Sequence, residues 1–339
     1  MSDTPIIGNS FKRQSLGFFP TPFHYLANFS EVLGGPKIFI KRDDLSGLAF
    51  GGNKTRKLEY LLAEALNNGC DCIITAGAVQ SNHCRQTAAA AALLKLPCHL
   101  LLGGEKPQTV NGNLLLDYLL GSKIYWQGEH RKGEGIPDLV SLLTQQGHKP
   151  YVVPYGGSNE VGALGFVNAL QELQHQLVDT PISHVVFASS SGATHAGLLV
   201  GKALLQQSYQ LIGINIDKDE DAKKPFKQVI VDLANQTASF LGKDCRFDLD
   251  SIDLLEGYTG QGYGVLGSAE QEAISLLAKS EGILLDPVYT GRAMAGLIDL
   301  VRSEQLPPSA NVLFWHTGGN PALFAYADNF TEWSSTTEP

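Results

Sequence analysis

Short apolar runs that end in glycine-rich corners and lead into amphipathic helices recur along this chain, and that alternation leaves few folds open to it. The corner Gly51-Gly52-Asn53-Lys54 shows the pattern. A glycine pair runs straight into a helix whose apolar face, Leu58, Leu61, Leu62 and Ala65, keeps the i, i+3, i+4, i+7 spacing and ends near Gly69. Before it lie an extended lead-in, Phe19-Pro20-Thr21-Pro22, a polar helix, a strand over 37–41 and the charged turn Arg42-Asp43-Asp44. After it come a strand over 72–75, a loop over 77–83 and an alanine-rich helix over 88–94. Further strands are predicted over 100–102, 123–126 and 151–153, with helices over 114–120 and 137–146 between them. In the second half, Gly156-Gly157-Ser158-Asn159 opens a helix over 160–176, and a strand over 184–188 enters a serine-rich corner and a helix over 198–205. Residues 286–291 read as the end of a strand and the start of a helix, and a strand over 312–317 ends in Gly318-Gly319. No repeat of fixed period is visible. The reading is an α/β fold with parallel sheet, right-handed crossovers and flanking helices.

Two corners carry chemistry. Lys54 falls in the first turn of its helix, where the helix dipole and the neighbouring Arg56 and Lys57 disfavour a cation. A lysine with a lowered pKa can attack a carbonyl and hold it as a Schiff base, although a solvated lysine on a basic helix start has the same local sequence. Ser189-Ser190-Ser191-Gly192-Ala193-Thr194-His195-Ala196-Gly197 places hydroxyls and free backbone amides at the N-terminus of the helix that continues over 198–205, which suits an anion; a tight turn that binds nothing is the plain alternative. It is neither a P-loop nor a GxGxxG fingerprint. Tyr263, between two glycines, and Tyr289 also fall on strand-end loops, the side of an open α/β sheet where ligands bind, though either could be an ordinary packed aromatic.

Composition narrows the ligand. A net charge of −9 without a long basic run argues against nucleic acid, and no segment approaches the apolar length of a membrane span. Residues 1–15 lack a basic stretch followed by an apolar core, so a cytoplasmic location is expected. Cys70, Cys72, Cys84, Cys98 and Cys245 are odd in number and lack paired CxxC spacing, which predicts reduced thiols and no metal site. A small-molecule ligand is the expectation.

Six motifs in order then carry a resemblance: Lys41-Arg42-Asp43-Asp44-Leu45, Gly51-Gly52-Asn53-Lys54-Thr55-Arg56-Lys57-Leu58, Gln80-Ser81-Asn82-His83, Gly156-Gly157-Ser158-Asn159, Asp286-Pro287-Val288-Tyr289 and His316-Thr317-Gly318-Gly319. The chain resembles the D-cysteine desulfhydrase and 1-aminocyclopropane-1-carboxylate (ACC) deaminase family, pyridoxal-phosphate enzymes of the tryptophan synthase β-subunit fold. The resemblance implies fold type II: two open, twisted, mostly parallel sheets flanked by helices, with residues 1–55 and 168–339 forming a large domain and 56–167 a smaller inserted one. It implies that Lys54 forms the Schiff base, that Ser190, Ser191, Gly192, Ala193 and Thr194 cradle the cofactor phosphate, that Asn82 meets the ring hydroxyl and that Thr317 meets the ring nitrogen. Ser81, Asn82, His83, Tyr263 and Tyr289 are implied on the substrate side, with Ser81 and Tyr289 joining Lys54 as catalytic residues. A homodimer acting on a small amino acid is implied as well.

The branch rests on Thr290 and Thr317, where ACC deaminases carry glutamate and leucine. Opening a cyclopropane needs a strong electron sink, which a carboxylate beside the pyridine nitrogen supplies and a threonine hydroxyl does not. Both threonines point to α,β-elimination of D-cysteine to pyruvate, ammonia and hydrogen sulfide, with Lys54 or Tyr289 taking the α-proton. Other β-substituted amino acids, such as β-chloro-D-alanine or a cysteate, stay open. ACC deaminase is the alternative, and a non-catalytic small-molecule binding protein the alternative of a different class.

Overall fold

A computed structural model of the chain describes residues 6–8, 11–177, 180–217 and 224–335, the last five by backbone alone. Strand β1 (Phe23–Tyr25), helix α1 (Ala27–Leu33) and strand β2 (Lys37–Arg42) come first, and helix α2 (Lys54–Asn67) leads away to a second sheet. That sheet is built from β3 (Cys72–Ala78), α3 (Asn82–Leu93), β4 (Cys98–Gly103), α4 (Gly112–Leu119), β5 (Lys123–Trp126), α5 (Ile136–Gln145) and β6 (Pro150–Val152). Its strands run in the order β5-β4-β3-β6 and pair in parallel. Helix α6 (Glu160–Gln176) returns the chain to the first sheet. There β7 (His184–Ser189), α7 (Ala193–Leu204), β8 (Gln210–Asn215), α8 (Phe226–Phe240), β9 (Asp253–Leu255), α9 (Ser268–Glu281), α10 (Thr290–Arg302) and β10 (Asn311–His316) follow, before the short α11 (Asn320–Leu323). The order is β1-β2-β10-β7-β8-β9, with β1 antiparallel to β2 and the other pairs parallel.

Alternation along each strand divides the large sheet between two cores. Val186, Ile212 and Phe314 pack on one face with Phe29, Ile274 and Leu297 of α1, α9 and α10. Val185, Phe187, Leu313 and Trp315 pack on the other with Phe166 of α6 and Leu198 of α7. Burial on both faces is why these strands read as unbroken apolar runs. Leu58, Leu61, Leu62 and Ala65 of α2 are fully buried, as their spacing requires.

Arg42-Asp43-Asp44 is not a solvated turn: Asp43 and Asp44 are buried. Asp43 accepts hydrogen bonds from Arg56 Nη2 (2.7 Å) and Trp315 Nε1 (2.9 Å), while Arg56 Nη1 donates to Glu172 of α6 (2.8 Å). Lys41 Nζ donates to the same glutamate. This closed network ties β2, α2 and α6 together.

The sequence reading differs from the fold in four further places. Helix α3 starts at Asn82 rather than six residues later, because Ser81 caps it by accepting from Cys84 N (3.2 Å). Residues 283–286 form no strand. Strand β1 was not anticipated. Between residues 206 and 281 the chain forms β8, α8, β9 and α9, none of them anticipated; β8 runs through Gly213, where the His195 ring occupies the space of a Cβ and a glycine breaks the apolar run of the sequence, and β9 is a short edge. The cysteines are free thiols, with Cys72, Cys84 and Cys98 buried. No helix among the described residues is long and apolar enough to cross a membrane.

Candidate active site

The carboxyl ends of β3, β7 and β10 face a cleft into which α2, α3 and α7 point their N-termini. Lys54 lies in it half-buried, with Nζ donating to Asn53 Oδ1 (3.0 Å) and standing 5.9 Å from the centre of the Tyr289 ring. Its pKa falls to about 8 because burial disfavours the ammonium; Asp286 opposes the fall and the Arg85 guanidinium adds to it. This corrects the cause inferred from sequence. Arg56 points away, into its pairs with Asp43 and Glu172. Lys57 also lines the cleft, donates to the Gly156 carbonyl (3.1 Å), and is itself pushed well below its ordinary value by burial and then by Lys54.

Ser190, Ser191, Gly192 and Thr194 line the same cleft at the head of α7. Gly192 adopts φ +99°, which lets the chain turn its amides inward. Ser158 Oγ donates to Ser191 Oγ (2.7 Å), and Asn53 Nδ2 donates to Thr194 Oγ1 (3.3 Å). The Ala193 side chain does not line the cleft; it is packed inside the fold, and its backbone N–H donates to Ser158 Oγ (3.3 Å).

Ser81, Asn82 and His83 form the third wall. Asn82 Oδ1 accepts from Asn113 Nδ2 (2.8 Å), and Asn113 is itself held by Gln80 and Arg85. That leaves Asn82 Nδ2 as the atom offered to a ligand. Thr75 Oγ1 gives its hydrogen to the Val153 carbonyl (2.9 Å), so His83 Nε2 is the donor in their 2.8 Å contact and Nδ1 carries the lone pair. Burial, then Lys54 and Lys57, keep His83 neutral. His83 Nδ1 and His195 Nε2 are both buried without a hydrogen-bond partner among the described residues.

Tyr289 and Thr317 complete the lining, whereas Tyr263 stands behind, its hydroxyl 2.5 Å from that of Tyr289. Thr290 does not reach the cleft, contrary to the branch argument. It is fully buried, its Oγ1 donating to Asp286 Oδ1 (2.7 Å) and accepting from Asp286 N (2.8 Å). Sequence reasoning missed Asn53, Lys57, Tyr155, Gly156 and His195 as lining residues. The motifs Gly51–Leu58 and Gly156–Asn159 contained Asn53, Lys57 and Gly156, and the serine-rich corner ran on through His195, so each offered a signal; Tyr155 had none. A separate cluster of metal-type ligands, Asp71, Cys72 and His148, lies outside this lining, and His148 already pairs with Asp71 at 3.1 Å.

These groups fit pyridoxal phosphate. Hydroxyls and amides at the head of α7 suit a phosphate, a deprotonatable Lys54 suits an aldehyde, and Asn82 Nδ2 and the Thr317 hydroxyl suit the ring's hydroxyl and nitrogen. Sequence comparison agrees: residues 14–318 match the pyridoxal-phosphate dependent enzyme family, and the chain belongs to it. Among its relatives are D-cysteine desulfhydrases of Klebsiella pneumoniae (strain 342), 45% identical over 93% of this chain and 96% of that one, and of Salmonella choleraesuis (strain SC-B67), 44% identical over the same shares. A solved structure of an ACC deaminase homologue superposes with a TM-score of 0.87 at 37% identity, covering 95% of this chain and 96% of the other. Threonine deaminase isoform 2 from Solanum lycopersicum, at 16% identity and a TM-score of 0.63 over 94% and 84% of the two chains, shares the fold. The architecture is fold type II, and the chain is a pyridoxal-phosphate dependent enzyme.

Proposed function

We propose that this enzyme is a lyase that converts D-cysteine to pyruvate, ammonia and hydrogen sulfide. The observation that carries the reading is the carboxylate-free lining of the cleft: Thr317 stands at the end of β10, and no carboxylate is found among the described lining residues. The 44–45% identity to D-cysteine desulfhydrases over nearly the whole chain supports the same substrate. Pyridoxal phosphate, when bound, supplies the electron sink that stabilises negative charge on the substrate α-carbon.

We assign its anchoring to Lys54, its phosphate to Ser190, Ser191, Gly192, Thr194 and the Ala193 amide, and its ring to Asn82 and Thr317. The amides at the head of α3, with Ser81 and His83, hold the substrate carboxylate. Proton transfer divides by pKa. Burial, then Tyr263, keeps Tyr289 well above its ordinary value, so it is a phenol and a donor near neutrality. Lys54 Nζ, near 8, is the group able to take the α-proton. Tyr289 Oη, backed by Tyr263, then protonates or orients the departing sulfur. We further propose that 56–167 moves as an inserted domain, and that the protein is a cytoplasmic homodimer; exposed Phe18, Leu45 and Phe50 supply apolar surface for a partner.

The test is product analysis with D-cysteine, L-cysteine and ACC. Pyruvate and sulfide from D-cysteine, with little 2-oxobutyrate from ACC, are expected. Strong ACC turnover would favour the alternative, which the 37% identity to an ACC deaminase homologue keeps as second reading. Borohydride reduction and peptide mapping should place the pyridoxyl group on Lys54 and not on Lys57.

A further inference from the structure

One cation outside the cleft lies against the tyrosine pair. Arg131 sits between β5 and α5, on the side of the four-stranded sheet, yet its partners come from elsewhere. Its guanidinium lies 4.2 Å from the centre of the Tyr263 ring. Nη2 donates to both oxygens of Asp217 (3.1 and 3.0 Å), just after β8 of the six-stranded sheet, and Nη1 donates to Tyr155 Oη (3.1 Å). One side chain thus bridges the two sheets beside an opening that Tyr263, Gln80 and Tyr326 also line.

Tyr263 is a residue that needs such a partner. Gly262 and Gly264 flank it at φ +137° and +75°, so its own backbone neighbours impose little on the ring. The loop backbone is pinned, since Arg292 Nη2 donates to the carbonyls of Gly262 (2.6 Å) and Val265 (2.8 Å), and Tyr326 Oη to that of Gly264 (2.7 Å). None of those bonds touches the ring. The ring packs partly against the core beneath α9 and α10, and its polar contacts hold it at its tip, by Tyr289 Oη, and on its face, by Arg131. A planar guanidinium stacked on an aromatic face fixes the plane of the ring, and the forked bond to Asp217 fixes the guanidinium.

We infer that Arg131 is a positioning residue that acts through Tyr263, holding the ring so that its hydroxyl meets Tyr289, with Asp217 as the clamp. The inference rests on the role given above to Tyr289 and Tyr263. The experiment uses the holoenzyme with Arg131→Met, Tyr263→Phe and the double variant, together with Arg131→Lys and Asp217→Asn. Arg131→Met is expected to lower kcat by about fivefold to thirtyfold, with KM moving less. The double variant should be no slower than Tyr263→Phe alone, because without the hydroxyl there is nothing left to position. Arg131→Lys should recover part of the loss, and Asp217→Asn should show a smaller one. In apoprotein labelled with 3-fluorotyrosine, the 19F resonance of Tyr263, identified by its loss in Tyr263→Phe, should move in Arg131→Met. Multiplicative losses in the double variant, or an unmoved resonance, would overturn the role of Arg131. Full activity in Tyr263→Phe would instead overturn the role of the tyrosine pair, and the resonance alone would then decide whether Arg131 holds the ring. Should Arg131→Met fail to fold, Arg131→Lys and Asp217→Asn carry the same expected direction.

Discussion

Lys54 carries a prediction that needs no cofactor. Its amine in the fold loses its proton near pH 8 rather than at the ordinary 10.5, so the reactive free base rises through pH 8. Amine-selective labelling of the apoprotein should reach half its limiting rate at Lys54 near pH 8, read by peptide mapping; a midpoint near 10.5 would contradict the burial argument. The same shift acts on stability: the lysine costs folding energy below pH 8, and that cost fades as pH rises toward 10.5. Thr290 carries the second prediction. Its hydroxyl and amide both serve Asp286, and Thr290→Val removes one charge-assisted bond from a buried carboxylate. We expect a loss of about 1.5–3 kcal/mol in urea unfolding of the apoprotein. Exchanging Thr290 for glutamate, with Thr317→Leu, would set a second carboxylate against Asp286. The double variant should therefore lose stability along with desulfhydrase activity, whatever 2-oxobutyrate it gains from ACC. At this scale the sequence was legible where a residue's place follows from its local corner, as for Lys54 and Thr194, which line one cleft. It was silent where the partner lies far along the chain, as for Arg131 and Asp217, 86 residues apart.

The corner between β7 and α7 is the element to which the proposed function assigns the cofactor phosphate. Thr194→Ala removes a hydroxyl from it and should weaken pyridoxal phosphate binding by about tenfold to over a hundredfold, measured by titration of the apoprotein. Turnover at saturating cofactor should change less. Gly192→Ala forces a side chain into φ +99° and should cost about 1–3 kcal/mol of stability in addition to affinity. Elements whose pattern is periodic, such as α2 and α6, could be read from spacing alone. β1 and β9 could not, because strands of three residues at a sheet edge show no period. The start of α3 was misplaced for a different reason: Ser81 looks like a loop residue until its side chain is seen to cap the helix.

For the molecule as a whole, Glu172 is a carboxylate of the buried network that contributes to the response to acid. Burial alone would raise its pKa, but hydrogen bonds and charge from Arg56, then Lys41, hold it near 2. Since that lies below the ordinary 4.5, the stabilisation is complete above pH 4.5 and lost as pH falls toward 2. Glu172→Gln should flatten the pH dependence of unfolding in that window and cost about 3–5 kcal/mol near neutrality, since it leaves Lys41 buried without its carboxylate and Arg56 with Asp43 as its remaining one. The sequence showed two βα halves but not what binds them, because Lys41, Asp43 and Arg56 stood in motifs with no partner visible and Glu172 lies far along the chain from them, inside α6. The same network sets a rule for building chimaeras from related enzymes. A crossover between α2 and α6 inherits Lys41, Asp43 and Arg56 from one parent and Glu172 from the other, so unless both parents carry the set, the hybrid receives buried ions without their counterparts. Hybrids that exchange β2 through α6 as one block should outlive those cut inside it.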